Sequence, residues 1–360
     1  MKKVLLAMSG GIDSAAAAIL LLEAGFQVIG ATMLLSGSRS YQGQSGCFGP
    51  GEARSQADLQ RVCEHLKIPL HPLNLAADFD RLILDYYRQS YLAGTTPNPC
   101  VVCNSALKFG LLPFQLRALG VEHDFFATGH YARLETDSDT GRVRLFKAAD
   151  PRKDQSYFLC LLTQNQLQNT LLPLGKIPKT QVREIVSQSG LNFLLDKAES
   201  QDFVNESDHP LLFENDDEQP GELIGPNGEK LGTHRGLSHY TIGQRRHIGI
   251  SGKPEPWYVT ALDHRQNTVR VGPREGLFSH SLIAHSVNWV SIPAISAETR
   301  AQTKIRLAHE PAPSTLIPIS EGRVKVLFEQ AQMSITPGQF AVFYDGDMLL
   351  GGGVVGLHAD

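Results

Sequence analysis

The sequence has no long apolar segment and few cysteines. No apolar run in its 360 residues approaches the ~18 residues that a membrane-spanning helix needs. The apolar part of the N-terminal stretch MKKVLLAMSGG is too short for the hydrophobic region of a secretion signal. Five cysteines, an odd number, argue against a disulfide scaffold and for a reducing compartment. We therefore expect a cytoplasmic protein with no membrane partner.

The sequence also lacks a strong net charge. Its 33 Lys and Arg residues and 37 Asp and Glu residues give a formal net charge of −4. No overall positive field therefore attracts nucleic acid, and any such binding would need a local basic patch. Candidates for that patch lie close together in the sequence, at His234, Arg235, Arg245, Arg246, His247 and Lys253. The same residues would also suit an ordinary solvated surface.

Segments that favour strands and helices alternate over the first third of the chain. Val4–Met8 and Phe26–Leu34 are apolar and predict buried strands, and the Ala- and Leu-rich segment Asp13–Ala24 predicts a helix between them. The pattern continues with helices near Glu52–Leu66, Asp78–Leu92 and Ser105–Leu119 and with strands near Leu70–Leu75 and Asp124–Thr128. This alternation predicts an α/β fold with an open, mostly parallel sheet, whose ligands bind beyond the carboxyl ends of the strands.

The character of the sequence changes near residue 206. The acidic stretch ESDHPLLFENDDEQPGE has little periodicity and predicts either a linker or a solvated loop. Beyond it, short strand-like segments alternate with Gly and Pro and include a hairpin turn at Asn227-Gly228. We predict three domains: an α/β domain over residues 1–205, a small central β-rich domain over 206–280 and a C-terminal β-rich domain over 281–360.

The motif SGGIDS begins at Ser9, between the first predicted strand and its helix. Gly10 and Gly11 allow backbone conformations that other residues avoid, so that consecutive N–H groups can surround an anion at the helix start. Ser14 adds a second hydroxyl donor, and Asp13 suits a metal ion held against phosphates or a helix cap. The Lys of the GxxxxGK[ST] loop is absent, which disfavours a kinase or GTPase site. A plain Gly-rich turn is the alternative.

A second motif, TPNPCVVCNSALKFG, places two cysteines three residues apart. Its prolines predict a non-helical approach, with Asn104 or Ser105 capping the helix that follows. A cysteine near a helix N-terminus has a lowered pKa and therefore more of the reactive thiolate. Cys100 and Cys103 thus predict a sulfur-handling nucleophile. A zinc site would need a second pair of ligands, a thioredoxin-like pair does not fit the surrounding prolines, and inert packing is the remaining alternative.

The position of SGGIDS resembles that of the phosphate loop in the PP-loop ATP pyrophosphatases, which bind the pyrophosphate released when ATP adenylates a substrate oxygen. The motifs TPNPCVVCN, ATGHYAR, RKDQSYFL, YTIGQRRHIGI and TPGQFAVFYDGDMLLGGG follow in the order typical of bacterial tRNA-specific 2-thiouridylases. The resemblance covers nearly the whole chain. It implies a PP-loop domain that binds ATP, a small central domain and a C-terminal β-barrel-like domain that contacts tRNA.

The resemblance implies an ATP-dependent transferase, a tRNA-uridine 2-sulfurtransferase. ATP would adenylate the C2 oxygen of the wobble uridine, and persulfide sulfur would then replace that oxygen. The implied cofactors are ATP and Mg²⁺, and the implied partners are tRNA and a persulfide sulfur donor protein, either a sulfur-relay protein or a cysteine desulfurase. The alternatives are a related PP-loop enzyme that acts on another adenylated substrate and a tRNA-binding homologue that has lost the thiolation chemistry.

The functional residues of the family can be located in this sequence one by one. For ATP binding, the resemblance implies Ala7, Met8, Ser9, Gly10, Gly11, Ile12, Asp13, Ser14, Met33 and Gly129. For contact with the tRNA or its target base, it implies Asn98, Pro99, Cys100, His130, Lys153, Asp154, Gln155, Arg306, Leu307 and Gln339. The implied nucleophile is Cys103.

Two features depart from the family pattern. Many members have Asp at the position of Cys100, and a thiol cannot fully replace a carboxylate as general acid or base. The stretch that usually resembles SQDICFV, with another functional cysteine, reads ESQDFVNES here and lacks that cysteine. Of the remaining cysteines, Cys63 predicts core packing and Cys47 lies in a glycine-rich loop. Cys160 is the candidate catalytic substitute, with packing as its alternative.

Cys100 and Cys103 could then form a sulfur pair, in which one thiol carries the persulfide and the other resolves it as a disulfide. A CxxC variant occurs in related tRNA-thiolating enzymes, where a third cysteine completes an iron–sulfur cluster, so a cluster at Cys100 and Cys103 is the alternative. The pair predicts loss of thiolation in Cys100→Ser, and the cluster predicts visible absorption of the anaerobic protein.

Overall fold

Three sheets organise the computed structural model, which describes residues 1–36, 48, 51–197, 203–204, 209–213, 219–320 and 322–356. They are a parallel sheet of five strands, a sheet of four strands and a closed antiparallel barrel of six strands that is extended by a hairpin. Across the described residues, no helix is both long and apolar enough to cross a membrane.

The N-terminal sheet is parallel throughout, which confirms the predicted α/β architecture. Its strands are β1 (Lys3–Ala7), β2 (Gln27–Leu34), β3 (Leu70–Asn74), β4 (Phe125–Thr128) and β7 (Thr170–Leu171), in the order β3-β2-β1-β4-β7. The chain moves outward from β1 to β3 on one side and continues with β4 on the other side of β1. A crevice therefore opens between the carboxyl ends of β1 and β4. Residues that follow these two strands meet there.

Helices cover both faces of this sheet because side chains alternate along β1. The face of Val4 and Leu6 packs against α1 (Ile12–Glu23), α2 (Gly51–Leu66) and α8 (Lys179–Gln188). The face of Leu5 packs against α3 (Ala76–Phe79), α4 (Asp85–Leu92), α5 (Pro99–Cys103) and α6 (Leu112–Ala118). The π-helical segments Asp80–Leu84 and Asn104–Leu111 join α3 to α4 and α5 to α6, and α7 covers Gln164–Leu167.

The C-terminal strands close into a barrel, as the resemblance implied. They are β12 (Phe278–Trp289), β13 (Thr299–Lys304), β14 (Ala312–Ser320), β15 (Arg323–Met333), β16 (Phe340–Asp345) and β17 (Met348–Val355). Their order is β12-β15-β14-β13-β16-β17, every pair is antiparallel, and β17 pairs back with β12.

A hairpin from the N-terminal half of the chain joins this barrel. It consists of β5 (Ala132–Thr136) and β6 (Val143–Lys147), and β6 pairs antiparallel with β17, with Leu145 beside Leu349. Leu5 of the parallel sheet, Leu145 and Leu349 belong to one buried cluster. The parallel sheet and the barrel therefore share a hydrophobic core, which fixes their relative positions.

The central sheet consists of β8 (Gly221–Ile224), β9 (Lys230–His234), β10 (Tyr258–Asp263) and β11 (Thr268–Gly272), in the order β10-β11-β8-β9. The predicted hairpin turn is present between β8 and β9, where Gly228 has φ of +81°. Short 3₁₀ turns lie at Ser156–Leu159, Asn192–Leu194, His209–Leu212, Leu237–His239 and Arg274–Leu277. The predicted domain boundaries at residues 205 and 280 stay predictions.

Candidate active site

The SGGIDS loop follows β1 and leads directly into α1. Gly10 has φ of +70°, a left-handed conformation that favours glycine, and a Cβ there would lie 2.4 Å from the Ser55 carbonyl oxygen. The Ser14 hydroxyl donates to the Gly11 carbonyl oxygen at 3.0 Å. The loop is therefore compact, and it leaves the positive end of the twelve-residue helix α1 at the crevice.

Asp13 is oriented by two residues from outside the loop. Its Oδ1 accepts hydrogen bonds from the Tyr131 hydroxyl and from Lys179 Nζ, each at 2.6 Å. Lys179 is buried, so its ammonium group stabilises the carboxylate more than an exposed partner would. These partners favour an ionic role for Asp13 over the helix-cap alternative. They lie 118 and 166 residues away in the chain, which is why the local motif does not predict them.

A cavity of about 400 Å³ occupies the crevice. Nine of the ten residues implied for ATP binding line it: Ala7, Met8, Ser9, Gly11, Ile12, Asp13, Ser14, Met33 and Gly129. The tenth, Gly10, belongs to the same loop. Because Met33 is near the end of β2, the cavity extends sideways from the SGGIDS loop along the edge of the sheet. The volume and the mixed lining suit a small-molecule ligand.

Two lysines that the sequence does not predict also line this cavity. Lys108 lies in the π-helical segment between α5 and α6, and Lys197 follows the 3₁₀ turn Asn192–Leu194. Lys197 Nζ donates to the Gly10 carbonyl oxygen at 3.2 Å and pairs with Asp58 Oδ2 at 2.9 Å. Both ammonium groups add positive charge where the loop already favours an anion. A lysine outside a known motif gives no functional signal in a single sequence.

Gly129 and His130 follow β4 and form the opposite wall of the cavity. A Cβ on Gly129 would lie 3.0 Å from the Asp13 carbonyl carbon, so glycine lets this strand end approach the SGGIDS loop. His130 is buried, and its Nδ1 lies 2.8 Å from the Thr128 hydroxyl oxygen. Burial, with a smaller effect of the Lys108 charge, lowers the pKa of His130 well below its usual value. The neutral imidazole suits a hydrogen bond to a base better than a charge pair with phosphate.

The cysteine motif folds differently from the prediction. The helix begins at Pro99, and the Asn98 side chain caps it by accepting a hydrogen bond from Val101 N–H at 3.4 Å. Proline is tolerated at the first helical position because its missing N–H would have no helical partner there. The prediction that Asn104 or Ser105 caps this helix is therefore wrong, and both cysteines lie inside α5.

The helical segment that contains the cysteines leads to the cavity. From Cys103 the chain continues without a break through the π-helical segment into α6, and both Lys108 and Leu112 line the cavity. Lys108 follows Cys103 by five positions, the spacing that a π-helical hydrogen bond spans, and its charge acts on the Cys103 thiol. The Cys103 thiol and the cavity at the SGGIDS loop thus belong to one region of the molecule.

The environment of Cys103 differs from the one that the motif predicts. Burial raises the pKa of the Cys103 thiol, and the Lys108 ammonium offsets only part of this effect. The predicted lowering of the pKa is therefore wrong for Cys103, because desolvation outweighs the helix N-terminus once the residue lies in the second turn. In this state Cys103 is mainly a neutral thiol at pH 7.

The other described cysteines lie in the core. Cys160 is fully buried, burial raises its pKa, and its Sγ would lie 3.3 Å from a Cβ on Gly352 of β17. Cys63 is 2% exposed, and burial raises its pKa to about 11. This placement favours a packing role for both cysteines. For Cys160, packing is thus favoured over the role of catalytic substitute. Cys47 lies outside the described residues, as does most of the stretch ESQDFVNES.

The described residues do not fit an iron–sulfur cluster. Such a cluster needs three or four thiolates, and Cys100 and Cys103 supply two. In the part of the chain that the structure describes, no three His, Cys, Asp or Glu side chains are grouped so that they could hold a metal ion.

The residues implied for tRNA contact around Gln155 lie next to the cavity. Gln155 lines it, and its Oε1 accepts a hydrogen bond from Tyr131 N–H at 2.9 Å. Asp154 stabilises the local turn, since its Oδ1 accepts hydrogen bonds from two backbone N–H groups at 3.0 and 3.2 Å. Lys153 is partly exposed beside them.

The implied tRNA residues of the barrel have different surroundings. Arg306 donates to the carbonyl oxygens of Met333 and Ser334 at the end of β15, at 3.0 and 3.3 Å, and the neighbouring Leu307 is 43% exposed. Gln339 instead contacts the cysteine motif: its Nε2 donates to the carbonyl oxygens of Thr96 and Pro97 at 3.0 and 3.2 Å. In the predicted basic patch, the exposed residues are Arg235, Arg245, Arg246, His247 and Lys253. His234 is buried, so its place in the patch is wrong.

Family models match all three parts of the chain. Residues 2–206 match the tRNA methyl transferase HUP domain, residues 211–273 match the tRNA methyl transferase PRC-barrel domain, and residues 279–355 match the aminomethyltransferase beta-barrel domain. The first match alone covers more than half of the 360 residues.

Curated relatives match along almost the whole chain. The tRNA-specific 2-thiouridylase MnmA of Geotalea uraniireducens is 43% identical over 362 residues, covering 98% of this chain and 94% of the relative. Proteins of the same name from Endomicrobium trichonymphae and Moorella thermoacetica are 41% and 42% identical, each covering 98% of both chains. From this identity and coverage, together with the motif order and the fold, it follows that the chain belongs to the tRNA-specific 2-thiouridylase family.

Proposed function

We propose that this protein replaces the C2 oxygen of the wobble uridine of tRNA with sulfur in an ATP-dependent reaction. In the first step the C2 oxygen attacks the α-phosphate of ATP, and pyrophosphate leaves. In the second step a persulfide sulfur attacks C2, the C2–O bond breaks, and AMP leaves with the original oxygen. Family membership and the cavity at the SGGIDS loop support this sequence of steps.

The cavity supplies groups for the adenylation step. The N–H groups of the loop and the positive end of α1 would bind the pyrophosphate, and Lys108 and Lys197 would neutralise part of its charge. Asp13 is the carboxylate among the lining residues and is the candidate ligand for Mg²⁺. Its side chain is 32% exposed, which suits a shared role between the ion and Lys179. When bound, Mg²⁺ would stabilise negative charge on the phosphates.

The wall opposite the loop suits the base. The neutral imidazole of His130 and the amide of Gln155 offer hydrogen bonds to uracil, and Asn98, Pro99 and Cys100 would approach it from the start of α5. The uridine has to leave its stack to enter the cavity. Phosphates of the tRNA would contact basic side chains outside the cavity, with Lys153, Arg306 and the exposed arginines Arg245 and Arg246 as candidates, while Leu307 lies beside Arg306.

The sulfur step would use Cys100 and Cys103. A donor protein transfers the terminal sulfur of its persulfide to one of the two thiolates, and this sulfur then attacks C2. The second thiolate attacks the enzyme sulfur of the resulting S–S bond, which releases 2-thiouridine and leaves a disulfide that a thiol reductant returns to the dithiol. Side chains three residues apart on a helix are about 5–6 Å apart at Cβ, so a small adjustment permits this disulfide.

One observation carries the proposal: the helical segment that contains both cysteines continues into the wall of the cavity formed by the SGGIDS loop. The same proposal assigns catalysis to residues 1–205 and tRNA contacts to the barrel of residues 281–360, with further contacts from Lys153 and from the exposed basic side chains of residues 206–280. It also locates the protein in the cytoplasm, where tRNA and ATP are present.

The test combines the protein with ATP, Mg²⁺, unmodified tRNA and a persulfide donor. We expect pyrophosphate release that requires tRNA, and 2-thiouridine by mass spectrometry of the nucleosides. Pyrophosphate release that ignores tRNA and responds to another substrate would support the related PP-loop enzyme. Absence of release under all conditions would support the tRNA-binding homologue. Full thiolation by Cys100→Ser would exclude the hypothesis that Cys100 and Cys103 act as a sulfur pair.

A further inference from the structure

The segment that leads into α5 is bound to the barrel. Residues 95–98 have no regular secondary structure. Thr96 N–H donates to the Pro337 carbonyl oxygen at 2.8 Å, and Gln339 Nε2 donates to the carbonyl oxygens of Thr96 and Pro97 at 3.0 and 3.2 Å. The loop between β15 and β16 therefore hydrogen-bonds both an N–H group and two carbonyl oxygens of this segment.

The barrel loop and the segment before α5 also fit closely at Gly338. This residue has φ of +89°, and a Cβ there would lie 2.9 Å from both Thr95 Cβ and the Thr96 carbonyl oxygen. Any side chain at position 338 would push the barrel loop away from the segment. Glycine is therefore required here for its backbone conformation and for the close approach.

The barrel loop is itself anchored. Gly338 N–H donates to the Val355 carbonyl oxygen at 2.9 Å, and Val355 N–H donates to the Gln339 carbonyl oxygen at 2.8 Å. These two bonds tie the loop to the end of β17, and the barrel shares a core with the parallel sheet. The Gln339 amide is thus presented from a fixed support rather than from a free loop.

The position of this segment determines where the cysteine helix starts. Asn98 caps α5, and Pro99 is its first residue, so Cys100 follows the clamped residue Pro97 by only three positions. A displacement of Thr96 or Pro97 would shift or fray the first turn of α5. The SGGIDS loop, in contrast, is held by hydrogen bonds of its own, from Ser14 to the Gly11 carbonyl oxygen and from Lys197 to the Gly10 carbonyl oxygen.

We propose that Gln339 is a positioning residue for sulfur transfer, which clamps the segment before α5 and thereby aligns Cys100 and Cys103 with the activated uridine. This role rests on the proposed function and differs from the tRNA contact that the resemblance implies. Because the clamp acts on the cysteine side only, its loss should impair sulfur transfer more than adenylation.

The experiment uses the full-length variant Gln339→Met, which keeps the side-chain length and removes the donor. Its matched control is Gln302→Met, on an exposed glutamine of β13. In single turnovers with the enzyme in excess over tRNA, we expect at least about a tenfold fall in 2-thiouridine formed per pyrophosphate released. The control should keep the wild-type ratio, and the tRNA Kd of Gln339→Met should change by less than about twofold.

A second measurement does not depend on the proposed function. Alkylation of Cys100 and Cys103 by iodoacetamide, without ATP or tRNA, should become at least about threefold faster in Gln339→Met, because the first turn of α5 frays. Gly338→Ala should show the same increase while keeping the glutamine. If wild-type protein made no 2-thiouridine but iodoacetamide alkylated both variants faster than the wild type, the clamp would be supported and the proposed function would be contradicted. An unchanged alkylation rate and product ratio, with a tRNA Kd weakened about tenfold, would overturn the clamp.

Discussion

The nucleotide side and the cysteine side of the candidate active site are built in different ways. The SGGIDS loop, the end of β1 and the start of α1 are consecutive in the chain, and the loop carries its own internal hydrogen bond between Ser14 and Gly11. The cysteine side depends on Gln339, which lies 243 residues beyond its partner Thr96. A local motif can therefore identify the nucleotide side, whereas the cysteine side exists in its final form only when the barrel is assembled.

The two sides also differ in electrostatics. The nucleotide side has the cations Lys108 and Lys197 and the oriented carboxylate Asp13. The thiol of Cys103 lies among apolar neighbours, and burial raises its pKa. The first side is thus prepared for a charged ligand, and the second keeps its nucleophile neutral until the substrates and the sulfur donor arrive. Substitutions on one side should therefore impair one step of the reaction, and substitutions where the two sides meet should impair both.

The largest effect is expected for Cys103→Ser. A serine hydroxyl cannot carry a persulfide, so 2-thiouridine formation should fall by more than about a thousandfold. Pyrophosphate release with tRNA should persist within about fivefold, since the cavity is unchanged. Rapid-quench measurement of both products checks this separation. Loss of both steps together would mean that Cys103 also serves the nucleotide side.

Lys108 joins the two sides, so Lys108→Met should affect both. Loss of its charge should slow tRNA-dependent pyrophosphate release by about a hundredfold. It should also raise the pKa of Cys103 further, because this ammonium partly offsets the effect of burial. Thiolate forms above the pKa, so the alkylation of Cys103 should need a higher pH than in the wild type. The exposed Lys176→Met is the control, and a wild-type adenylation rate in Lys108→Met would contradict the assignment.

Gly10→Ala should damage the nucleotide side alone. A Cβ costs about 1–2 kcal/mol in the left-handed conformation. It would also overlap with the Ser55 carbonyl oxygen. We expect the KM for ATP in pyrophosphate release to rise by at least about tenfold. Alkylation of Cys100 and Cys103 without substrates should match the wild type. Faster alkylation would show that the loop also supports α5.

The smallest effect on activity is expected for Cys160→Ala. The thiol packs against Gly352 in the shared core, so its loss should lower the free energy of unfolding by about 1–2 kcal/mol. The amount of 2-thiouridine formed per turnover should stay within about twofold of the wild type, since packing alone requires no chemistry of this thiol. Chemical denaturation and nucleoside analysis of the same preparation check both values. A loss of thiolation with normal stability would restore Cys160 as a sulfur carrier.

Several parts of the molecule could be predicted because their signals are local. The alternation of strands and helices predicts the parallel sheet, and a glycine-rich turn between a buried strand and a helix predicts the loop that lines the cavity. The order of the motifs predicts the family and its barrel. In each case the informative residues are neighbours in the chain, or belong to a pattern that repeats along it.

Other features depend on contacts between distant segments. The cap of α5 at Asn98, the pairing of β6 with β17 and the clamp by Gln339 each require a particular backbone arrangement. The raised pKa of Cys103 follows from desolvation, which depends on what packs around the thiol and not on its position in a motif. The sequence by itself thus determined the fold class and the position of the glycine-rich loop between β1 and α1. Only the tertiary structure decided how the cysteines are held, because burial and long-range hydrogen bonds arise when distant segments pack together.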